Sequence, residues 1–309
     1  MKRLLIILVV VVALVLSGCE EMFTFNAFDG MGAPDYPETA DAITDIIAET
    51  TDAGSLIDTI TELTASPTFF ANLDKLDPAV KEEILEKITD ELRLVYTNEN
   101  TDEVSAEERA EAAILTAEIY LNSNEEAQEV VNSVVELGLN ALDDPEAIGS
   151  VEDAVVGVLE SAFGGVENLE SALDALSGAA DAYTFYGYTL PADTDLDLSA
   201  VPVQRRAAAM NFGSGGPNTG AIAQNALVAI AVDIFRTVYI TYYGTPISTV
   251  EDIIYVVTNL EALIDSDDPD GPTNNDLVNE VMDLLMENEA FMRILAAANF
   301  DALLGGFDE

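Results

Sequence analysis

Histidine and tryptophan are missing from this chain of 309 residues, and cysteine occurs once. Without imidazole, the chain can build neither a Ser-His-Asp nor a Cys-His catalytic arrangement, and no histidine can bind a metal. Basic residues are also scarce, with 11 Lys and Arg against 58 Asp and Glu, for a net charge of −47. Nucleic acid is therefore not an expected partner, because binding it requires clustered basic side chains.

The first 19 residues have the order of a bacterial export signal. A basic head, Lys2-Arg3, precedes an unbroken apolar run of 13 residues at positions 4–16, which is too short to span a bilayer. Two small residues follow and lead directly to the single cysteine. The segment Leu16-Ser17-Gly18-Cys19 resembles the lipobox of bacterial lipoproteins.

That resemblance implies cleavage after Gly18, a diacylglycerol linked to the Cys19 sulfur, and a further acyl chain such as palmitate on the new amino group. Each buried methylene of these chains would contribute roughly 0.8 kcal/mol to membrane binding. The protein would then be exported and anchored to a bacterial envelope membrane, on its periplasmic or external face. Removing residues 1–18 takes away two basic residues and no acid, so nine basic residues remain against 58 acidic ones.

The remaining chain is predicted to be all-α, a single large helical domain built as an irregular array of antiparallel helical hairpins. Residues 1–18 are assigned to the signal peptide, 19–38 to a flexible tether rich in Phe, Gly and Pro, and 39–309 to the helical domain. Apolar residues recur at helical spacing through most of this domain, and strand-like alternation is not sustained. A loop-rich interruption is expected at 185–218. Helices are predicted over 39–51, 54–64, 78–97, 105–122, 124–142, 150–163, 166–184, 219–243, 248–264, 273–287 and 289–304.

Several helix starts are marked by capping residues. Asp77 and Pro78 suit a cap and a first-turn proline, and Ser105 with Glu108 fits a capping box. Similar starts are predicted at Ser123 and Ser248. The helix over 219–243 is apolar nearly all round and is expected at the centre of the fold.

Tyrosines are concentrated in one part of the sequence and could line a ligand groove together with an arginine of the central helix. A tyrosine has a large apolar face and a polar tip, which suits both a cleft and the margin of a core. Asp233 and Arg236, spaced i,i+3, are expected to pair with each other on one helix face. The candidate groove residues are Tyr183, Tyr186, Tyr188, Arg236, Tyr239, Tyr242 and Tyr243.

Residues 265–271, with the sequence Asp-Ser-Asp-Asp-Pro-Asp-Gly, resemble the start of a calcium-binding loop. A full EF-hand does not fit, because position twelve would be Leu277 instead of a carboxylate. A looser Ca²⁺ site and a solvated acidic turn both remain open. The candidate metal ligands are Asp265, Asp267, Asp268 and Asp270, and no other cofactor is expected.

The excess of acids resembles that of proteins from saline-adapted organisms, while a surface for a basic partner or for divalent cations is the rival interpretation. The leading functional hypothesis is a non-enzymatic envelope scaffold or accessory subunit that contacts a protein partner through helix faces. Two alternatives are a small-molecule-binding subunit of an envelope transport system and a carboxylate-dependent hydrolase. The hydrolase would need two convergent carboxylates with separated pKa values.

Overall fold

The computed structural model of the protein describes residues 40–65, 67–97, 104–143, 169–190, 219–266, 268 and 271–297. These residues form eleven α-helices and no β-strand, so the predicted all-α class is confirmed. The helices are α1 (Ala40–Ala48), α2 (Ala53–Thr64), α3 (Pro67–Leu73), α4 (Pro78–Tyr96), α5 (Ala106–Asn122), α6 (Glu125–Asp143), α7 (Leu169–Thr189), α8 (Thr219–Tyr243), α9 (Val250–Thr258), α10 (Asn274–Glu287) and α11 (Glu289–Ala297).

Local capping explains where several helices begin. Asp77 accepts a hydrogen bond from the backbone N–H of Ala79, and Pro78 is the first residue of α4. At the start of α5, Ser105 and Glu108 form the predicted capping box. Both starts are confirmed because each depends on only a few consecutive residues.

Two other caps lie one residue later than predicted. Asn124, not Ser123, accepts from the backbone N–H of Ala127 at the start of α6. At α9 the cap is Thr249, with Ser248 just before it. In both cases two neighbouring residues are chemically able to cap, and the backbone selects the second.

Helix ends deviate further from the sequence prediction. Helix α3 was missed, since seven residues are too few to show a helical period. Helix α7 continues to Thr189, so the predicted interruption cannot begin at 185. Helix α9 ends at Thr258 instead of 264, and Leu263 then forms an isolated antiparallel bridge with Thr273. The predicted helix over 150–163 and residues 191–218 of the interruption lie outside the described residues.

Helix α7 occupies the centre of the described structure, a position that the sequence prediction gave to α8. It makes the most extensive contact with α5, the next with α8, and further contacts with α11 and α6. Close approach is possible because α7 has glycine where other helices cross it. A Cβ added to Gly187 would lie 2.7 Å from Cβ of Ala290 on α11, well inside van der Waals contact.

Helix α8 is buried over its first half, from Ile222 to Ile230, and only half-buried over the following turns. Among the described residues, it is the one helix with the length and composition that could cross a membrane. A helix at the core of a globular domain has the same length and composition. The face of α8 that contacts α7 carries the polar residues Asp233 and Arg236.

Candidate functional site

The tyrosines of the predicted groove occupy separate places. Tyr183 and Tyr186 of α7 are buried in the core, with 0% and 8% of their surface exposed. Tyr188, two residues on, is 52% exposed. Tyr239 and Tyr243 lie near the end of α8, where their rings stack with centroids 4.5 Å apart. The groove itself therefore stays a prediction.

Two stacked tyrosines near the end of α8 and one tyrosine on α9 form a cluster that we call the tyrosine ladder, consisting of Tyr239, Tyr243 and Tyr255. Tyr255, on α9, is 46% exposed, whereas Tyr239 is buried. Burial raises the pKa of Tyr243, and the neighbouring Tyr255 raises it further. The ladder thus runs from the core margin to the solvent.

A buried asparagine holds the ladder in place. The Tyr243 hydroxyl donates to Oδ1 of Asn274 at 2.5 Å, and Asn274 is fully buried at the start of α10. Nδ2 of Asn274 in turn donates to the carbonyl of Asn259 at 2.9 Å, directly after α9. One side chain therefore links α8, α9 and α10, which fixes the orientation of the Tyr243 ring.

Carboxylates on α9 and α10 influence the tyrosines near the end of α8. Burial raises the pKa of Tyr239, and the negative charge of Asp252 on α9 adds to the rise. Burial likewise raises the pKa of Tyr242, with further contributions from Glu280 and Asp276 on α10. Tyrosine faces next to carboxylates offer a cationic group both a quadrupole and a negative potential.

The predicted pair between Asp233 and Arg236 is wrong, because both side chains reach across to α7. Arg236 pairs with Asp174 at 2.5 Å and also donates to the carbonyl of Leu173 at 3.2 Å. Asp233 accepts from the Ser177 hydroxyl at 2.5 Å. Arg236 therefore fastens α8 to α7, and it does not face the tyrosine ladder as a free ligand-binding group.

One pair of carboxylates lies close together on the same two helices. Asp181 of α7 is exposed, and its pKa is raised first by desolvation and then by the charge of Asp233. The hydrolase alternative requires two convergent carboxylates with separated pKa values, and it stays a prediction. Asp233 already accepts the Ser177 hydroxyl, however, so its carboxylate is partly engaged in holding α7 to α8.

Three polar side chains on α5, α7 and α8, which the sequence did not single out as a group, influence one another: one is fully buried and two are half-buried. They are Glu118 on α5, Tyr183 on α7 and Asn225 on α8. Desolvation alone raises the pKa of Glu118 to about 7. Burial raises the pKa of Tyr183 well above its ordinary value, the charge of Glu118 adds to this rise, and Asn225 opposes it. A signal was available in the sequence, since Glu118 interrupts the otherwise apolar stretch that ends at Leu121.

The acidic loop after α9 is described in part. Asp265 and Asp268 are exposed, and the backbone N–H of Asp268 donates to the carbonyl of Asp265 at 3.2 Å. Asp267 and Asp270 lie outside the described residues. Within the described part of the chain, no three Asp, Glu, His or Cys side chains are grouped to hold a metal. The calcium site stays a prediction from the sequence, as does lipidation of Cys19, which also lies outside these residues.

Comparison of the chain with protein-family models, with curated proteins and with solved structures finds no match.

Proposed function

We propose that this protein is a lipid-anchored protein of a bacterial envelope that acts as a non-enzymatic scaffold or accessory subunit. Its partner is a protein with a basic segment, which binds at the tyrosine ladder. The observation that carries the proposal is the stack of Tyr239 and Tyr243, together with the exposed ring of Tyr255, which influences Tyr243, and the negative charge of Asp252 beside Tyr239.

The anchor is inferred from the lipobox at Leu16-Ser17-Gly18-Cys19. Between Cys19 and the first described helix at Ala40 lie 20 residues, which could extend to roughly 70 Å. The domain could therefore contact a partner that protrudes well beyond the bilayer surface.

A basic partner suits the charge of the domain. Six of the seven described basic side chains already bond to oxygens of the domain itself, which leaves a large excess of carboxylates facing outward. A Lys or Arg placed over a tyrosine face gains about 0.5–1 kcal/mol at an exposed site, more where water is excluded. The engaged residues are Lys75, Lys81, Lys87, Arg93, Arg236 and Arg293.

Position-specific photocrosslinking in the native membrane tests this proposal. A photoreactive phenylalanine derivative replaces Tyr255 in one strain and Tyr188, a tyrosine of similar exposure on α7, in another. We expect one discrete protein product from position 255, whose contact segment is rich in Lys or Arg, and much less from position 188. Equal products from both positions would contradict the assignment of the ladder.

Two further variants separate the anchor from the partner surface. Cys19→Ala should move the protein out of the membrane fraction, and its retention there would contradict the lipid anchor. Tyr255→Phe keeps the ring and should retain partner capture, measured by crosslinking from a neighbouring exposed position, whereas Tyr255→Ala should lose most of it. A partner captured equally well by both variants would show that the ring is not involved.

A further inference from the structure

Helix α7, at the centre of the described structure, keeps one stripe of its surface open to solvent. The exposed positions of this helix recur three, four or seven residues apart, so they lie on a single face. This face is acidic over the first part of the helix and aromatic near its end. We call it the α7 stripe, and its members are Glu170, Asp174, Asp181, Phe185 and Tyr188.

The stripe is bordered by α4 on one flank and by α8 on the other. The ring of Phe185 meets that of Tyr96 at the end of α4, with the ring centroids 5.0 Å apart. On the other flank, Ser177 donates to Asp233 of α8. The described helices nevertheless leave Phe185 39% exposed, and Asp181 forms no hydrogen bond or ion pair with a described residue.

The chain that joins α7 to α8 differs in charge from the rest of the sequence. Residues 198–232 contain no acid, whereas 35 residues with the average content of 58 acids in 309 would hold about six or seven. This run includes Arg205 and Arg206, the one pair of adjacent basic residues after the leader. The apolar residues Val201 and Val203 come just before the pair. A basic and apolar segment is therefore joined directly to a helix with an acidic and aromatic stripe.

Both ends of this connection lie at the same end of α7. Ser177 bonds to Asp233, while Asp174, about one turn earlier on α7, pairs with Arg236, about one turn later on α8. The two helices are therefore antiparallel. The start of α8 consequently lies near Leu190, the last described residue after α7.

The connection is long enough to bring its arginines to the stripe. Asp181 lies nine residues before Leu190, which is about 13 Å back along the helix. The 15 residues from Leu190 to Arg205 can extend to roughly 50 Å, and the 13 from Arg206 to Thr219 to roughly 43 Å. The chain can therefore run from the end of α7 to Asp181 and return to the start of α8.

We infer that the α7 stripe is the docking surface for residues 199–210 of the same chain. The guanidinium groups of Arg205 and Arg206 pair with carboxylates of the stripe, and the apolar residues before them cover its aromatic end. A guanidinium binds a carboxylate through two parallel hydrogen bonds and also stacks on aromatic faces.

The connection itself favours this occupant over a partner from solution. Because the segment is joined at both ends to helices that border the stripe, its effective concentration there is on the order of 1 mM. An external basic segment can enter the stripe only by displacing these arginines. The inference goes beyond the proposed envelope partner, which binds at the tyrosine ladder.

Photocrosslinking within the purified full chain in detergent tests the inference. A photoreactive phenylalanine derivative replaces Phe185 or, as a control, Met286, an apolar residue of α10 that is 55% exposed. Cleavage after acids leaves residues 198–233 as a single peptide, so its attachment to the probe is identified by mass spectrometry. We expect position 185 to attach to residues 199–210 with a yield several-fold higher than position 286.

Charge variants test which groups hold the segment. Arg205→Ala combined with Arg206→Ala should reduce the yield several-fold, and the corresponding change of both residues to Lys, which keeps the charge but not the planar group, should give an intermediate yield. Asp181→Asn should also reduce the yield, whereas Asp283→Asn, at an exposed acid of α10, should leave it unchanged.

Three results would overturn the inference. They are a yield that the two alanine changes leave intact, equal attachment from positions 185 and 286, and attachment of position 185 mainly to other parts of the chain. A mixture of chains with natural and heavy isotopes identifies the copy involved, and attachment between a heavy and a light chain would assign the stripe to a second copy instead. The purified chain contains no envelope partner, so these results are independent of the proposed function.

Discussion

At the scale of single residues, Glu118 couples folding to pH in the direction opposite to most acids. Its pKa is raised to about 7 in the folded chain from 4.5 when solvated. Below about pH 4.5 the carboxyl is protonated in both states, so it has no effect on stability. Between about pH 4.5 and 7 the unfolded chain loses this proton first, so stability falls as pH rises and levels off above the folded pKa.

Glu118→Gln removes this linkage. We expect the variant and the wild type to be equally stable near pH 4, apart from packing changes, and the variant to gain relative stability up to about 3 kcal/mol by about pH 8. The measurement is urea unfolding at several pH values and one ionic strength. A difference in unfolding free energy that stays constant with pH would contradict the raised pKa.

Removing the hydroxyl of Tyr243 should lower the stability of the protein, whereas removing that of Tyr183 should not. Tyr243→Phe removes the donor to the buried Oδ1 of Asn274 and should cost about 1–3 kcal/mol, because that oxygen then stays buried without its partner. Tyr183→Phe removes a buried hydroxyl that forms no hydrogen bond of ordinary geometry, so it should be neutral or slightly stabilising. Thermal unfolding of both variants in the same buffer checks this. Equal losses would mean that Tyr183 has a partner in the free protein.

At the scale of helices, the position of α7 depends on close contacts that only small residues permit. Gly187 lies against the backbone of Ala290 on α11. Gly178 lies against the ring of Tyr120 on α5. A ring can rotate aside, but a backbone atom cannot move without displacing its helix. Basic side chains also close helix ends: Arg293 donates to the carbonyl of Leu190 just after α7, and Lys81 donates to that of Ser123 just after α5.

Gly187→Ala should therefore destabilise the protein by about 1–3 kcal/mol or more, since the added Cβ overlaps Ala290 of α11. Gly54→Ala is the control, because its Cβ would meet only the flexible carboxylates of Glu108 and Asp52 at 3.3 and 3.4 Å. Alanine has the higher helix propensity, so that change should be neutral or stabilising by up to about 1 kcal/mol. Denaturant midpoints of both variants test the packing, and a Gly187→Ala protein as stable as Gly54→Ala would show that α11 does not pack this closely.

At the scale of the whole molecule, the charge imbalance opposes compaction. With 58 acids and 11 basic residues, most carboxylates repel one another in the folded chain more than in the expanded one. The Debye length is about 10 Å at 0.1 M salt and about 3 Å at 1 M, so added salt weakens this repulsion. Salt should consequently stabilise the fold without any specific site.

We expect the melting temperature to rise steadily between about 0.05 and 1 M N-methylglucamine chloride, because its ions screen the repulsion between carboxylates. Differential scanning calorimetry of the full chain measures the rise. A melting temperature independent of ionic strength would show that the acids do not destabilise the folded state.

Sequence alone determined the helical class and the starts of α4 and α5, because apolar periodicity and capping are settled within a few consecutive residues. It also supplies the whole argument for the lipid anchor at Cys19, which rests on local order in the first 19 residues. Ser123 and Asn124 are both able to cap α6, so the sequence does not decide between them. The backbone geometry places the cap at Asn124.

Tertiary structure decided which of these helices touch and through which atoms. The i,i+3 spacing on α8 predicts a pair between Asp233 and Arg236. Each side chain instead binds a residue of α7, because the packing of the two helices brings that residue closer than the neighbour on α8. The same packing separates Tyr183 from Tyr239 and brings Glu118 to Tyr183 from 65 positions away. Contacts of this kind depend on the relative placement of whole helices, which no local pattern of residues encodes.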